Sequence, residues 1–133
     1  MKRLLKWLVI IILVYLALQV ILDWDRGDAV IGPYPTSGKA SWYRGSLTAS
    51  GERLRANSLT CAMRKRDYGK YYLVCAADSN RCVMVKHNDF GPKKKLFRQG
   101  RIIDLSHKAF SYLAKHKTGL IGVTVIEADK SWL

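Results

Sequence analysis

Asn88-Asp89-Phe90-Gly91-Pro92 and, further along the chain, Arg101-Ile102-Ile103-Asp104-Leu105-Ser106 are the two segments that say most about this protein. Each holds one carboxylate at the edge of an apolar run, in a chain with only ten acidic residues against 23 basic ones. Scarce carboxylates beside turn residues and aromatic side chains are typical of general acid–base sites. The same segments also suit a turn and a helix start, so the spacing alone allows a catalytic or a structural interpretation.

A hydrophobic stretch precedes the domain that carries these segments. Trp7 to Leu22 is apolar apart from one glutamine, with three bases before it and aspartates after it. Its length lies between a signal-peptide core and a full membrane span, and no small-x-small cleavage site follows it. We therefore predict that residues 1–24 form an uncleaved transmembrane signal anchor, buried in the membrane through residues 4–22. The charge asymmetry places the N-terminus in the cytoplasm and the rest outside. Secretion after signal cleavage is the alternative.

The remainder divides into three parts. Residues 25–36 are predicted to be a linker, because glycine, proline, serine and threonine break any periodicity there. Residues 37–129 form one small domain without an internal repeat, and residues 130–133 are a tail. A domain of this size holds a modest core, and exported domains of this kind often add a disulfide.

The pattern after residue 37 is mostly strand. Tyr71 to Cys75 and Cys82 to His87 are β-rich runs separated by turn residues, which predicts a hairpin. If the turn centres on Asp78-Ser79, Cys75 and Cys82 face each other across the strands, so we predict a disulfide between them. Cys61 is then buried and free. Three reduced core cysteines are the alternative and would suit a cytoplasmic domain.

One helix is predicted in the domain. Ser106 is a suitable N-cap, and Leu105 before it can pack on Phe110 at the fourth helical position. The apolar face runs to Ala114, and Gly119 ends the segment. The alternating run that follows closes the domain as a strand. The domain is therefore predicted to be mainly β, a strand-rich barrel with one short helix.

Five motifs together carry a family resemblance over about residues 38–127. They are Ala40-Ser41-Trp42-Tyr43, Thr48-Ala49-Ser50-Gly51-Glu52, Leu59-Thr60-Cys61-Ala62 and the two segments quoted first. In order and spacing they resemble the rare lipoprotein A family of septal-ring lytic transglycosylases. The resemblance implies a six-stranded double-psi β-barrel, a fold shared with expansins. It also implies activity on peptidoglycan glycan strands, and hence an anchor in the bacterial inner or plasma membrane with a periplasmic or extracellular domain.

The implied reaction cleaves a β-1,4 glycosidic bond without water. The muramic acid 6-hydroxyl attacks its own anomeric carbon and leaves a 1,6-anhydro end. This step needs a protonated carboxylic acid beside the leaving oxygen and a base for the hydroxyl proton. It requires neither a metal nor a cofactor, and the sequence has no metal-spaced His/Cys cluster and no phosphate-binding loop.

Carried onto this sequence, the family's functional Glu falls on Glu52 and its functional Asp on Asp89. We predict that Asp89 is the acid, because a carboxyl held among apolar groups such as Phe90 can stay protonated near neutral pH. Asp104 is either a second acid, as the expansin likeness suggests, or a support for the helix start.

The chain departs from the family where the family has a functional His, since Met63 stands at that position. A thioether cannot carry a proton or donate a strong hydrogen bond. Three interpretations follow. Asp89 and Glu52 suffice, or His87 or Asp104 substitutes, or the barrel binds glycan without cutting it.

Five residues are candidates for substrate binding, namely Trp42, Tyr43, His87, Phe90 and Arg101. The Trp and Tyr rings could stack on sugars, although a Trp in a small barrel is more often part of the core. The His lies in an alternating strand and is expected to be solvent-exposed. The Phe replaces a usual Arg and would make the cleft floor more apolar.

The charge of the domain points to anionic partners. Outside residues 1–24 there are 20 bases and nine acids, with the densest basic runs at residues 64–66 and 93–95. Such an excess attracts polyanions, which outside the membrane are peptide carboxylates, wall polymers and lipid headgroups. A nucleic-acid or membrane-surface binder is a further alternative. Nucleic acid is the least favoured partner, because no recognition helix or zinc spacing accompanies the charge.

Overall fold

The computed structural model describes residues 1–26, 29, 30 and 32–133, with the side chains of residues 22–26 excepted. The six strands are β1 (Ser37–Tyr43), β2 (Thr60–Met63), β3 (Tyr71–Ala76), β4 (Cys82–Phe90), β5 (Arg101–Ser106) and β6 (Leu120–Glu127). The helices are α1 (Lys2–Arg26), α2 (Lys94–Arg98) and α3 (His107–Ser111), with 3₁₀ turns at His116–Thr118 and Lys130–Trp132.

The strands close into a barrel in the order β1-β5-β2-β4-β3-β6. The pairs β1/β5 and β2/β4 are parallel, and the other four neighbouring pairs are antiparallel. Parallel neighbours need long crossover connections, so strands distant in sequence lie side by side. The mainly-β, six-stranded barrel predicted from the sequence is confirmed.

Both parallel pairs contain a β-bulge. Opposite Lys39 and Ala40 the extra residue on β5 is Ile102, and opposite Cys61 and Ala62 the extra residue on β4 is Asn88. A bulge breaks the alternation of side chains and bends the strand that carries it. Asp89 directly follows one bulge, and Asp104 lies two residues after the other. The bulges therefore redirect the strands where the two acidic residues stand.

The barrel interior is filled by the apolar side chains that alternate along the strands. The largest fully buried apolar side chains are Phe110, Met63, Ile103 and Leu105. Met63 is thus a core residue, although the resemblance assigns a functional His to its position. Its fully buried side chain packs with the other core residues and is shielded from solvent.

The helix predicted after Ser106 begins as expected and ends early. The Ser106 side chain accepts a hydrogen bond from Ala109 N, and Phe110 of α3 is buried against the barrel. The α-helix stops at Ser111, and Lys115 has extended backbone angles before the 3₁₀ turn that ends at Gly119. The structure also contains a second short helix, α2, which has no side-chain cap for sequence reasoning to detect.

The predicted cysteine pairing is confirmed. Cys75 and Cys82 are register partners in the β3–β4 hairpin and form a disulfide, while Cys61 is buried and free. Closing so short a loop stabilises the folded state by about 2–3 kcal/mol through the entropy of the unfolded chain.

Part of the predicted linker contacts the barrel. The Tyr34 hydroxyl donates to Ile102 O and accepts from Arg64 N, and Thr36 O accepts from Val125 N at 2.8 Å. Residues 27, 28 and 31 of that linker lie outside the described residues. The domain boundaries stay a prediction, but the second half of the linker packs as part of the barrel.

Helix α1 contains a 20-residue apolar stretch, Lys2–Ile21, with mean hydropathy 2.5 and none of it buried. At 1.5 Å rise per residue it is about 30 Å long, the thickness of a bilayer hydrocarbon core. Length and composition suit a membrane span, and they suit a signal sequence near the N-terminus equally well.

His87 lies inside the barrel, fully buried. Its Nδ1 lies 2.7 Å from Asp67 Oδ1, and its Nε2 donates to Asp89 O at 2.9 Å, since a carbonyl can only accept. Burial raises the pKa of Asp67, but the Tyr72 hydrogen bond and the positive charges of His87 and Lys65 outweigh it, so that pKa lies below its ordinary value. The expectation of a solvent-exposed or substrate-binding His87 is therefore wrong, because the chain around Asp67 covers the ring.

Asp67→Asn is expected to lower the free energy of unfolding by about 3 kcal/mol at pH 7, because the buried His87 ring loses its ionic partner. Because folding lowers the pKa of Asp67, this contribution to stability is fully present above pH 3.8, the ordinary pKa of the group. It is lost as the pH falls through the lowered pKa of the folded state. The difference between wild type and variant should therefore shrink in acid. Urea unfolding of the full-length protein in detergent micelles, followed by tryptophan fluorescence, measures it.

The control for this pair is a double-mutant cycle. In a His87→Leu background the Asp67→Asn substitution should cost less than about 1 kcal/mol, because the partner is already gone. Equal costs in the two backgrounds would mean that the pair does not couple.

Candidate active site

Two carboxyl groups flank one small residue in the middle of the barrel wall. Ala62 of β2 is the register partner of Asp104 on β5 and of Asp89 on β4. Neighbouring strands are about 4.8 Å apart, so the two aspartate Cα atoms are separated by about 10 Å. Residues directly opposite each other share a face of the sheet, so both carboxyl side chains lie beside Ala62. Asp104, Ala62 and Asp89 are called the acidic row below.

Gly91 lies against the acidic row. A Cβ atom added to Gly91 would lie 3.7 Å from the Ala62 side chain and 3.9 Å from Asp104 Oδ2. Its φ of 155° is one that residues with side chains rarely adopt. The glycine of the Asn-Asp-x-Gly-Pro segment thus brings the backbone close to the second carboxyl group.

Asp89 accepts three hydrogen bonds. Its Oδ1 accepts from Ala49 N at 2.9 Å and from Phe90 N at 2.8 Å, and its Oδ2 accepts from the Tyr43 hydroxyl at 2.9 Å. The structure differs here from the apolar surroundings expected for Asp89, because two backbone amides and a phenol point at it.

Tyr43, at the end of β1, is the side chain that holds Asp89. Burial raises the pKa of the Tyr43 hydroxyl far above its ordinary value, and the negative charge of Asp89 raises it further. The phenol therefore stays protonated and donates a hydrogen bond to Asp89. The hydroxyl of Tyr43 fixes one carboxylate oxygen of Asp89, and stacking of the Tyr43 ring on a sugar stays a prediction.

Asp104 has the opposite environment. Only 8% of the residue is exposed, and its Oδ1 accepts a hydrogen bond from Arg101 Nε at 2.6 Å. Burial raises the pKa of Asp104, and the negative charge of Asp89 raises it further. The hydrogen bond and the charge of Arg101 lower it, but by less. The net result is a raised pKa. The guanidinium of Arg101 thus lies on Asp104, and its contact with substrate stays a prediction.

Glu52 lies on the loop between β1 and β2, beside Asn88. Its Oε1 pairs with Lys86 Nζ at 2.8 Å and its Oε2 accepts from Asn88 Nδ2 at 3.5 Å. The Lys86 hydrogen bond lowers the pKa of Glu52, and the Asn88 hydrogen bond acts in the same direction. An exposed carboxylate held in this way is ionised at neutral pH. It fastens its loop to β4 next to Asp89.

Trp42 and Phe90 both have partners within the protein. The Trp42 indole donates to His116 O at 3.0 Å, and its ring meets the His107 and His116 rings edge-on at about 5 Å between centroids. It packs against the core, which matches the structural alternative for a Trp. The Phe90 ring has the guanidinium groups of Arg64 and Arg66 over it, at 5.0 and 4.7 Å. The surface at Phe90 is therefore cationic as well as apolar.

Sequence reasoning missed two groups around Asp89, the Ala49 amide and the Asp67 side chain. A backbone amide leaves no mark in a sequence, and only the conformation of the Thr48–Glu52 motif brings it to Asp89. Asp67 stands in a basic stretch without periodicity, so nothing marks it as the partner of a buried histidine. Among the described residues, no group of three or more His, Cys, Asp or Glu is placed to hold a metal ion.

Comparison with known proteins places this chain in a family. A family model described as lytic transglycolase matches residues 36–125. The endolytic peptidoglycan transglycosylase RlpA of Vibrio cholerae is 36% identical over 103 residues, which cover 73% of this chain and 38% of the relative. The probable endolytic peptidoglycan transglycosylase RlpA of Synechocystis is 38% identical over 92 residues, covering 66% and 27%. This chain thus spans well under half the length of these relatives.

Solved structures agree on the fold. A mutant expansin of Clavibacter michiganensis in complex with cellohexaose superposes with a TM-score of 0.54 at 20% identity, covering 71% of this chain and 50% of the expansin. At this identity the likeness concerns the fold alone. With the family match over residues 36–125 and the closed six-stranded barrel, the chain belongs to the lytic transglycolase family of double-psi β-barrel domains.

Proposed function

We propose that this protein is a membrane-anchored lytic transglycosylase that cleaves the β-1,4 bond of peptidoglycan glycan strands and leaves 1,6-anhydromuramic ends. The observation that carries the proposal is the acidic row, with two carboxyl groups in opposite environments on either side of Ala62. Pairs of carboxyl groups whose surroundings separate their protonation states are typical of glycosidic bond cleavage. The names of the relatives from Vibrio cholerae and Synechocystis support the same substrate class.

The two environments suggest the division of roles. Asp104, whose pKa is raised, holds the proton and gives it to the leaving glycosidic oxygen. Asp89, fixed by three donors, is the carboxylate that steadies positive charge at the anomeric carbon and takes the proton of the 6-hydroxyl. The 6-oxygen then bonds to the anomeric carbon as the glycosidic bond breaks. Asp104 has given one proton to the leaving oxygen and Asp89 has taken one from the 6-hydroxyl, so the protons balance. The acid expected at Asp89 is thus assigned to Asp104.

The remaining residues position this pair. Tyr43 and the Ala49 amide orient the Asp89 carboxylate, and Glu52 holds the loop that supplies that amide. His87 fixes the Asp89 carbonyl from inside the barrel and is too buried to exchange protons with substrate. Met63 is buried in the core, so the proposed mechanism uses two carboxyl groups and no histidine.

A non-catalytic, expansin-like module that binds peptidoglycan or another polysaccharide is the second candidate. The buried Met63, at a position where the family has a functional His, favours it. The fold likeness to an expansin solved with cellohexaose supports polysaccharide binding. In either case the exposed basic side chains of Arg66, Lys93 and Lys95 would attract anionic wall polymers, whereas Arg64 is buried.

Asp89→Asn and Asp104→Asn are each expected to reduce the rate of anhydro-end release by at least about 100-fold, because each removes one half of the proton transfer. The assay incubates full-length protein in detergent with intact and with denuded (stem-peptide-free) peptidoglycan, and mass spectrometry detects 1,6-anhydro ends. Asp78→Asn is the matched control, because Asp78 is exposed in the β3–β4 turn, at the opposite end of β4 from Asp89. If wild-type protein pellets with both substrates but releases no anhydro product, the catalytic proposal fails and the protein is a binding module.

Arg101→Gln is expected to move the alkaline limb of the pH profile of kcat/KM to higher pH. Asp104 is active when protonated, so activity falls as the pH rises through its raised pKa. Arg101 lowers that pKa, so its removal makes the fall begin later. Arg98→Gln, on exposed α2, should leave the profile unchanged. A shift confined to the acidic limb would contradict the assignment of the acid to Asp104.

The apolar stretch Lys2–Ile21 is proposed to anchor the protein in the bacterial inner membrane with the barrel outside. Full-length protein should stay in the membrane pellet after alkaline carbonate washing, and protease added to spheroplasts should digest the barrel. Replacing Leu13 and Leu16 by arginine should release the chain from the pellet, since each charge at mid-span costs about 2.5–3.5 kcal/mol. Soluble wild-type protein whose N-terminus lies beyond residue 24 would indicate a cleaved signal instead.

A further inference from the structure

A cavity of about 470 Å³ opens between the loop that follows β1 and the start of α3. Its lining residues are Tyr43, Arg44, Gly45, Leu54, Arg55, Ala56 and His107. Two guanidinium groups and an imidazole face it with an aliphatic and an aromatic side chain, and none of these lining residues is acidic. The cavity therefore presents positive charge beside apolar surface.

Among the described residues, the ion pairs of the protein do not include the basic groups of the cavity. Arg44 donates from Nη2 to His107 Nε2 at 3.2 Å, so the imidazole accepts there and is neutral. Partial burial lowers the pKa of His107, and the nearby His116 and Arg44 lower it further, in keeping with a neutral ring. In the part of the chain that the structure describes, neither Arg44 nor Arg55 forms an ion pair. Both guanidinium groups can pair with an anionic ligand.

The cavity wall is held in place before any ligand binds. The chain from Arg44 to Ala56 is a loop closed on itself by Thr48 N to Glu52 O and Leu54 N to Ser46 O, both at 3.0 Å. It is fastened to β4 by Ser50 N to Asn88 O, also at 3.0 Å. A loop tied in this way presents its two arginines with little ordering cost on binding.

Tyr43 links the cavity to the acidic row. Its side chain lines the cavity, and its hydroxyl donates to Asp89 Oδ2 at 2.9 Å. A substrate whose scissile bond lies at Asp89 therefore has its neighbouring substituent within reach of the cavity.

We propose that this cavity is a subsite for a carboxylate on the muramic acid residue next to the cleaved bond, with Arg44 and Arg55 as its ligands. The inference rests on the proposed function. Guanidinium groups match carboxylates in bidentate geometry, and Leu54 and Ala56 offer apolar contact to the methyl groups of a lactyl or alanyl substituent. On denuded strands the lactyl carboxylate is free. On peptide-bearing strands it is amidated, and the free carboxylates belong to the stem peptide.

The test measures binding in full-length protein carrying Asp89→Asn, so that the ligand is not cut. Three ligands of equal sugar length are compared: denuded glycan, glycan with stem peptides, and a chitooligosaccharide, which has no carboxylate. Arg44→Gln and Arg55→Gln are each expected to weaken binding of a muramic-acid ligand about tenfold and to leave chitooligosaccharide binding unchanged. Arg53→Gln is the control, because this exposed arginine lies in the same loop and does not line the cavity.

The ligands also distinguish the source of the carboxylate. A loss confined to denuded glycan assigns the lactyl carboxylate, and a loss confined to peptide-bearing glycan assigns the stem peptide. The subsite would be overturned if the arginine variants bind all three ligands as tightly as the control does. It would also be overturned if their affinity for chitooligosaccharide falls as much as their affinity for the muramic-acid ligands. If wild type releases no anhydro ends while the carboxylate-dependent losses stand, the enzyme proposal fails and the subsite remains. If wild type is active and both variants keep its kcat/KM on both glycans, the subsite alone fails.

Discussion

The placement of β2 between β4 and β5 is the constraint on which the rest of this site depends. A strand of only four residues pairs in parallel with one neighbour and antiparallel with the other, so Ala62 faces a carboxyl group on each side. Ala62 itself is buried and lies close to Gly91, and the bulges at Asn88 and Ile102 bend the flanking strands beside it.

The two carboxyl groups differ because their surroundings differ, in a protein whose overall charge is strongly positive. Asp89 lies among donors fixed by the backbone, whereas Asp104 lies in a buried position with a single arginine. The negative charge of Asp89 also contributes to the raised pKa of Asp104 and so favours the protonated form of that carboxyl group.

The interior of the barrel supports the site from below. His87 uses both ring nitrogens, one on Asp67 and one on the carbonyl of Asp89, so a buried ion pair is connected directly to the backbone of a proposed catalytic residue. A buried pair gives little net stability compared with apolar packing, but breaking it is costly. It therefore fixes the conformation at Asp89 more than it adds to stability. Met63, on the neighbouring strand, fills the core with an apolar side chain at the family's histidine position.

Local patterns in the sequence predict a strand-rich domain, the hairpin with its Cys75–Cys82 disulfide, the N-cap at Ser106 and the segments that hold both aspartates, since alternation, turn residues and caps act over a few positions. The six strands of the barrel are implied by the family resemblance. The tertiary structure alone decided that His87 is buried, that Arg101 holds Asp104, that Ala49 donates to Asp89 and that Arg44 and Arg55 share a cavity. Each of these contacts joins segments brought together by crossover pairing or loop closure, and no local pattern encodes which distant partner a side chain will meet.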